Sequence, residues 1–233
     1  MHGIRWFNCT APAALALIFL MHPAAHIGAQ SGPPGPNSLS FLLAVGVQMG
    51  NDPEAKPVAL ENHAILSTGD RIKFFLEPQT DAHFYLFHLG PNGVLSPLFP
   101  LDWNEARVPA GRQVYVPEGT LWFELDAASG MEKFFLLVSK DRLAQLENLA
   151  ARHAAFKDRT AAESSAKAVL DEISRLNKQR RPLAAPAEKP VRIAGKFRAP
   201  SKFDSAALPD ITPFAKEIVA QGYYSKTITV DHR

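Results

Sequence analysis

The histidines are the side chains most able to hold a metal ion, and their spacing argues against such a site. Beyond residue 29 the closest pair is His83 and His88. Residues five apart on a β-strand point to opposite faces, so these two imidazoles cannot chelate one ion. No HExxH motif occurs in the sequence. We therefore expect neither a metal site nor a bound cofactor.

No catalytic residue can be assigned from sequence motifs. The chain has neither the G-x-S-x-G turn of α/β-hydrolases nor a phosphate-binding P-loop. Paired carboxylates can meet in space from distant positions. Asp204, Asp210 and Glu217 lie near one another in the sequence, and we interpret them as solvated acids in a connector. We therefore expect a protein that is not an enzyme.

Trp103 is a candidate binding residue because of its place in the segment Leu101–Glu105. A loop tryptophan can stack on a sugar or fill a pocket of a partner. It can equally cap one end of a hydrophobic core, and we favour that interpretation. If Trp103 does bind a ligand, the alternative function is a hydrolase of envelope glycans or peptides with an acidic site near this loop.

A run of basic residues is the strongest indication of function in the sequence, because a hydrophobic core does not require it. Between Lys178 and Lys202 there are eight basic residues and one acid, Glu188. Such a segment could bind an anionic partner, such as an envelope polymer, lipid head groups or an acidic protein, or it could be a linker lying over an acidic domain. The candidate binding residues in it are Arg192, Lys196, Arg198 and Lys202.

The first 29 residues have the pattern of a secretory signal peptide. Arg5 precedes an apolar run from Ala13 to Met21, and small residues follow up to Ala29. The run is about half the roughly 20 residues that span a bilayer, so we expect cleavage after Ala29 and no transmembrane segment in the mature chain. The protein is thus predicted to be periplasmic or extracellular, a location that disfavours nucleic acid as a partner.

The composition is that of an ordinary globular protein. The 233 residues are 46% hydrophobic and 21% charged, with 25 basic and 23 acidic side chains. The single cysteine, Cys9, excludes a disulfide scaffold and a cysteine-rich zinc module.

The apolar residues of the central part of the chain repeat with the period of β-strands. In Arg71–Glu77, Ile72, Phe74 and Leu76 share one face, which predicts a half-buried strand with Lys73 on the other face. Ala82–Leu89 and Glu132–Ser139 are apolar on both faces, as in central strands covered on both sides. Together with turn residues at close spacing, these patterns predict an antiparallel immunoglobulin-like β-sandwich.

The period changes to three or four after residue 140, which indicates helices. We expect two helices inserted before a final strand, Tyr223–Asp231, that completes the sandwich beside Glu132–Ser139. The predicted organisation is a signal peptide (1–29), a linker (30–38), the sandwich (39–140), a helical insertion (141–181), a basic Pro-rich connector (182–213) and a C-terminal strand (214–233).

Several motifs resemble a bacterial domain of unknown function, DUF4384, over about Leu39 to Lys140. The resemblance implies a non-catalytic β-rich module of exported or surface-associated proteins, with no catalytic residues to carry over. We therefore expect an exported interaction module that binds a protein or an anionic envelope polymer. The motifs are Gly69-Asp70, Phe84–Phe87, Gly90–Gly93, Leu98–Pro100, Val108–Gly111 and Gly130–Ser139.

Overall fold

The computed structural model describes residues 37–50, 52, 55–156, 159–180, 186–190 and 210–233. The predicted signal peptide lies outside this part of the chain, as do most of the predicted linker and of the basic connector. None of the described helices is long and apolar enough to cross a membrane.

The described residues form thirteen strands and two α-helices. Short 3-10 turns lie at Trp103–Glu105 and Thr212–Phe214. In chain order the elements are β1 (Ser38–Gln48), β2 (Val58–Ala59), β3 (Ala64–Leu66), β4 (Arg71–Pro78), β5 (Ala82–Leu89), β6 (Leu95–Phe99), β7 (Arg107–Val108), β8 (Val114–Val116), β9 (Phe123–Glu124), β10 (Gly130–Ser139), α1 (Ala144–Ala155), α2 (Arg159–Gln179), β11 (Ala187–Pro190), β12 (Lys216–Gln221) and β13 (Tyr223–His232).

The strands form two sheets, so the chain is mainly β as expected. One sheet has the order β11-β12-β1-β4-β8, with β2 also on β1 and β9 also on β4. The other has the order β3-β13-β10-β5-β6, with β7 also on β5. Every pair is antiparallel except β3 with β13, which is parallel.

The facing sides of the two sheets share one hydrophobic core. Phe41 and Phe74 of the first sheet lie in the same cluster as Phe84 and Phe134 of the second. The alternate residues of β5, Tyr85 and Phe87, point outward and are buried beneath the helices. The expectation that β5 is covered on both faces is therefore confirmed.

The C-terminal region differs from the predicted single strand. The final strand β13 does pair with β10, as expected, but β12 precedes it and joins the other sheet on β1. Gly222, with φ +68, forms the turn between them, a conformation that side chains with a Cβ rarely adopt. β11 lies within the segment predicted to be a connector; all four of its residues are exposed, so no hydrophobic period marks it.

Candidate docking groove

A large cavity formed by the described residues lies on the outer face of the second sheet, between α2 and strands β10 and β13. Its volume is about 990 Å³. We call this cavity the docking groove. Its lining consists of Leu89, Lys133, Phe135, Leu170, Ile173, Ser174, Asn177, Lys178, Arg180, Pro186, Tyr223, Tyr224, Ser225, Thr227 and Thr229.

The groove exists because the helices cover only part of the sheet. The apolar sides of α1 and α2 pack on Tyr85, Phe87 and Leu137. On the same face, Lys133 and Thr229 are partners in the β10–β13 ladder, four residues along β10 from Leu137. These two residues line the groove and are only half-buried, so helical cover stops short of this end of the sheet.

Hydrogen bonds fix the helices beside the groove. The hydroxyl of Tyr85 donates to Glu147 of α1 at 2.8 Å and accepts from the amide of Leu143 at 3.0 Å. The hydroxyl of Tyr223 donates to Oδ1 of Asn177 on α2 at 2.7 Å. Burial raises the pKa of Tyr223 to about 12, so this phenol stays neutral and adds no negative charge to the groove near neutral pH.

The charges that line the groove are all positive. Its lining has three cations, Lys133, Lys178 and Arg180, and no aspartate or glutamate. Arg180 lies over the ring of Tyr223 at 5.8 Å and is 3.9 Å from Asp141. Lys133 and Lys178 form no ion pair with any of the residues that the structure describes. The groove therefore offers two uncompensated ammonium groups beside apolar surface.

Two basic residues of the predicted binding stretch, Lys178 and Arg180, contribute to the groove. The candidates Arg192, Lys196, Arg198 and Lys202 lie outside the described residues. Sequence reasoning missed Lys133, because it lies in a strand recognised by its apolar neighbours. Its position opposite Thr229, beyond the reach of the helices, is set by tertiary structure.

Trp103 lies in a half-buried position against the helix-side core. Its ring stacks on Phe87, with centroids 6.4 Å apart and an interplanar angle of 25°. The carboxylate of Asp102 accepts a hydrogen bond from the amide of Asn104 and so caps the 3-10 turn that contains Trp103. Trp103 does not line the docking groove, and its contact with Phe87 is the packing that the core-capping interpretation describes.

A histidine–glutamate cluster lies at the end of the second sheet, between it and the first. Nε2 of His88 lies 2.5 Å from Oε2 of Glu132, and Nδ1 of His232 lies 3.5 Å from Oε1 of the same carboxylate. Among the described residues no group of three or more His, Cys, Asp or Glu could hold a metal ion. His83 lies on the other face of β5, where Nδ1 is 3.2 Å from the carbonyl of Lys140, so the predicted opposite orientation of His83 and His88 is confirmed.

The motifs noted in the sequence have structural roles. The carboxylate of Asp70 accepts the amides of Gly50 at 2.6 Å and Ser67 at 2.8 Å, which ties two loops together. Gly93, with φ +78, closes the turn between β5 and β6 by donating to the carbonyl of Gly90. These residues hold the loops of the two sheets in place and do not line the groove.

Comparison with known proteins gives a family for part of the chain. No curated protein and no solved structure matches it. Residues 65–142 match a family described as Domain of unknown function (DUF4384), a shorter range than the one inferred from the sequence. The resemblance is thereby confirmed for residues 65–142, a segment that includes the strands from β4 to β10 and is similar to this family.

Proposed function

We propose that the protein is an exported, non-enzymatic binding module of the bacterial cell envelope, and that the docking groove contacts an anionic partner. The lining of three cations without an acid is the single observation that carries this proposal. Positive charge concentrated in a concave site raises the local concentration of anions and speeds their association.

Several features support the proposal. The N-terminal pattern of residues 1–29 favours export, and the period-two strands favour an immunoglobulin-like arrangement of the two sheets. Lys178 and Arg180 begin the basic stretch that reaches Lys202, so the groove and the stretch are continuous in the chain. The partner is a protein or an anionic envelope polymer.

The test replaces the two unpaired lysines of the groove. Lys133→Gln with Lys178→Gln should weaken retention of the purified protein by a bacterial envelope fraction about 2- to 30-fold, since each partly exposed ion pair contributes about 0.2–1 kcal/mol. The matched control is Lys56→Gln with Lys167→Gln, because both lysines are exposed and neither lines the groove.

Retention should also fall as salt rises, because exposed charges are screened beyond about 8 Å at physiological ionic strength. A separate variant that neutralises Lys196, Arg198 and Lys202 measures the contribution of the basic stretch. Equal, salt-insensitive retention of all three variants and the wild type would contradict the proposal.

A further inference from the structure

Among the described residues, one edge of the last strand has no strand partner over most of its length. β13 pairs with β10 from Tyr223 to His232. On its other edge β3 pairs only with Val230–His232. Among the described residues no strand pairs with this edge between Tyr223 and Thr229. Unpaired edges are templates for the addition of another strand.

The direction of the free backbone groups follows from the neighbouring hydrogen bonds. On the edge away from β10, the amide of Thr229 donates to Oδ1 of Asn62 at 2.8 Å, and its carbonyl accepts the amide of His63 at 2.7 Å. Successive residues of an antiparallel strand point their N–H and C=O groups to alternate edges. Thr227 and Ser225 therefore present their backbone N–H and C=O groups on the same open edge, at intervals of about 6.8 Å.

The docking groove reaches this edge. Its lining contains Ser225 and Thr227 together with Pro186 and Tyr224, and Lys133 and Phe135 lie on the adjacent strand. An occupant of the groove can thus meet free backbone groups, apolar side chains and ammonium groups at once. A polyanionic glycan offers charge and hydroxyl groups but no hydrogen-bonding groups at strand spacing, whereas a peptide offers backbone donors and acceptors at that spacing.

Charge selects among the peptides that could add to the edge. Lys226, between the two free positions, lies 3.4 Å from Glu188 and is 30% exposed. A second copy of β13 placed antiparallel against the first would bring the Lys226 side chains of the two copies to the same seam. An acidic strand would instead be attracted, since like charges in neighbouring strands repel and opposite charges stabilise.

We propose that β13 accepts an acidic, extended segment of a partner protein as an added β-strand, pairing with Ser225 and Thr227. Its acidic side chains reach Lys133 and Lys178, and its apolar side chains contact the wall formed by α2. This inference rests on the proposed function and names the partner of the same groove.

The first experiment measures hydrogen exchange in the free full chain. The amides of Ser225 and Thr227 should exchange much faster than those of Tyr224 and Lys226, which face β10. Fast exchange at the two edge positions supports an open edge. Protection of Ser225 and Thr227 in the free protein would overturn the inference, because another part of the chain or a second copy would then occupy the edge.

The second experiment uses peptides of defined sequence. The probes are an eight-residue peptide alternating glutamate and valine, the same peptide with every backbone amide N-methylated, and polyglutamate. N-methylation keeps the charge but removes the backbone donors, so it should weaken binding about tenfold or more.

The matching protein variants are Thr227→Pro and Thr227→Val. Because the amide of Thr227 points away from β10, proline removes the donor on the open edge without breaking the β10–β13 ladder. Thr227→Pro should weaken binding of the alternating peptide about tenfold or more, and Thr227→Val should change it less than about twofold.

The outcomes separate this inference from the proposed function. Equal affinity for the methylated and unmethylated peptides, or an unchanged affinity of Thr227→Pro, overturns strand addition. If polyglutamate still binds in that case and Lys133→Gln with Lys178→Gln weakens it, the anion-binding function stands. If none of the three probes binds, both proposals fail.

Discussion

Replacing Lys73 by methionine tests how a fully buried ammonium group stabilises the first sheet. The side chain of Lys73 is 0% exposed. Its Nζ donates to the carbonyls of Pro117 and Gly119 at 2.8 Å each, and to that of Leu121. The lysine therefore joins the segment after β8 to the middle of β4, a connection that methionine cannot make.

The expected loss of stability follows from two opposing terms. Three hydrogen bonds from a charged donor contribute about 1.5–3 kcal/mol each. Burial lowers the pKa of Lys73 from 10.5 to about 8, so the charged form loses about 3 kcal/mol on folding. Methionine removes both terms, and we expect Lys73→Met to lower the free energy of unfolding by about 2 kcal/mol or more at pH 7.

The pH dependence has a defined sign. Because the folded-state pKa of Lys73 is about 8 and the unfolded value is 10.5, the unfolded chain binds more protons between these values. The pH-dependent part of this contribution is thus complete above the unfolded pKa and is lost as pH falls through about 8, whereas the hydrogen bonds still contribute at pH 7. The difference in unfolding free energy between wild type and Lys73→Met should grow from pH 8 to 10.5, by up to about 3 kcal/mol.

Urea denaturation of both proteins at pH 7, 8.5 and 10 measures this difference, and Trp122, 5.8 Å from the ammonium group, reports on the loop by fluorescence. Lys56→Met is the control for an exposed lysine. A change below about 0.5 kcal/mol at pH 7, the range of ordinary surface substitutions, would refute the hydrogen-bond reasoning. A difference that shrinks as pH rises would refute the assignment of the pKa.

Two further substitutions test the packing on either side of the sheets. Tyr85→Phe removes the hydroxyl that bonds the amide of Leu143 and a carboxylate oxygen of buried Glu147. The free energy of unfolding, measured by thermal unfolding, should therefore fall by about 1–3 kcal/mol. An unchanged melting temperature would mean that water replaces the hydroxyl. Gly46→Ala places a Cβ against the side chain of Ile211. This substitution should lower the free energy of unfolding by about 1–3 kcal/mol and increase proteolysis near residue 211. Equal resistance of the variant and the wild type to protease would show that the segment around Ile211 shifts without loss of stability.

The strands with regular alternation could be predicted from the sequence, and so could one pairing. β5 and β10 are apolar on both faces because helices cover one face and a second sheet covers the other. A final strand needs a partner for its amides, and β13 finds it on β10. These features depend on local periods and on backbone hydrogen bonding, which a single sequence contains.

Lys73 shows where periodicity fails. The alternating pattern predicts Lys73 on the face of β4 opposite Phe74, and the structure confirms this position. A lysine on that face of a half-buried strand is expected to be partly exposed, but the segment Pro117–Leu121 folds over it and accepts three hydrogen bonds from its ammonium group. A loop that returns over a sheet leaves no periodic signal, so burial of this charge depends on tertiary structure.

The open edge of β13 has a local cause in the segment before β3. His63 has φ +62, an unusual conformation for a residue with a Cβ, and Asn62 uses its side chain to accept the amide of Thr229. A side-chain acceptor satisfies one backbone donor but does not extend a ladder, so strand pairing with β13 stops at Val230. The Asn62-His63 turn therefore determines where the free edge of β13 begins. The groove and this edge meet because the helices cover only one part of β13 and β3 pairs with only another part.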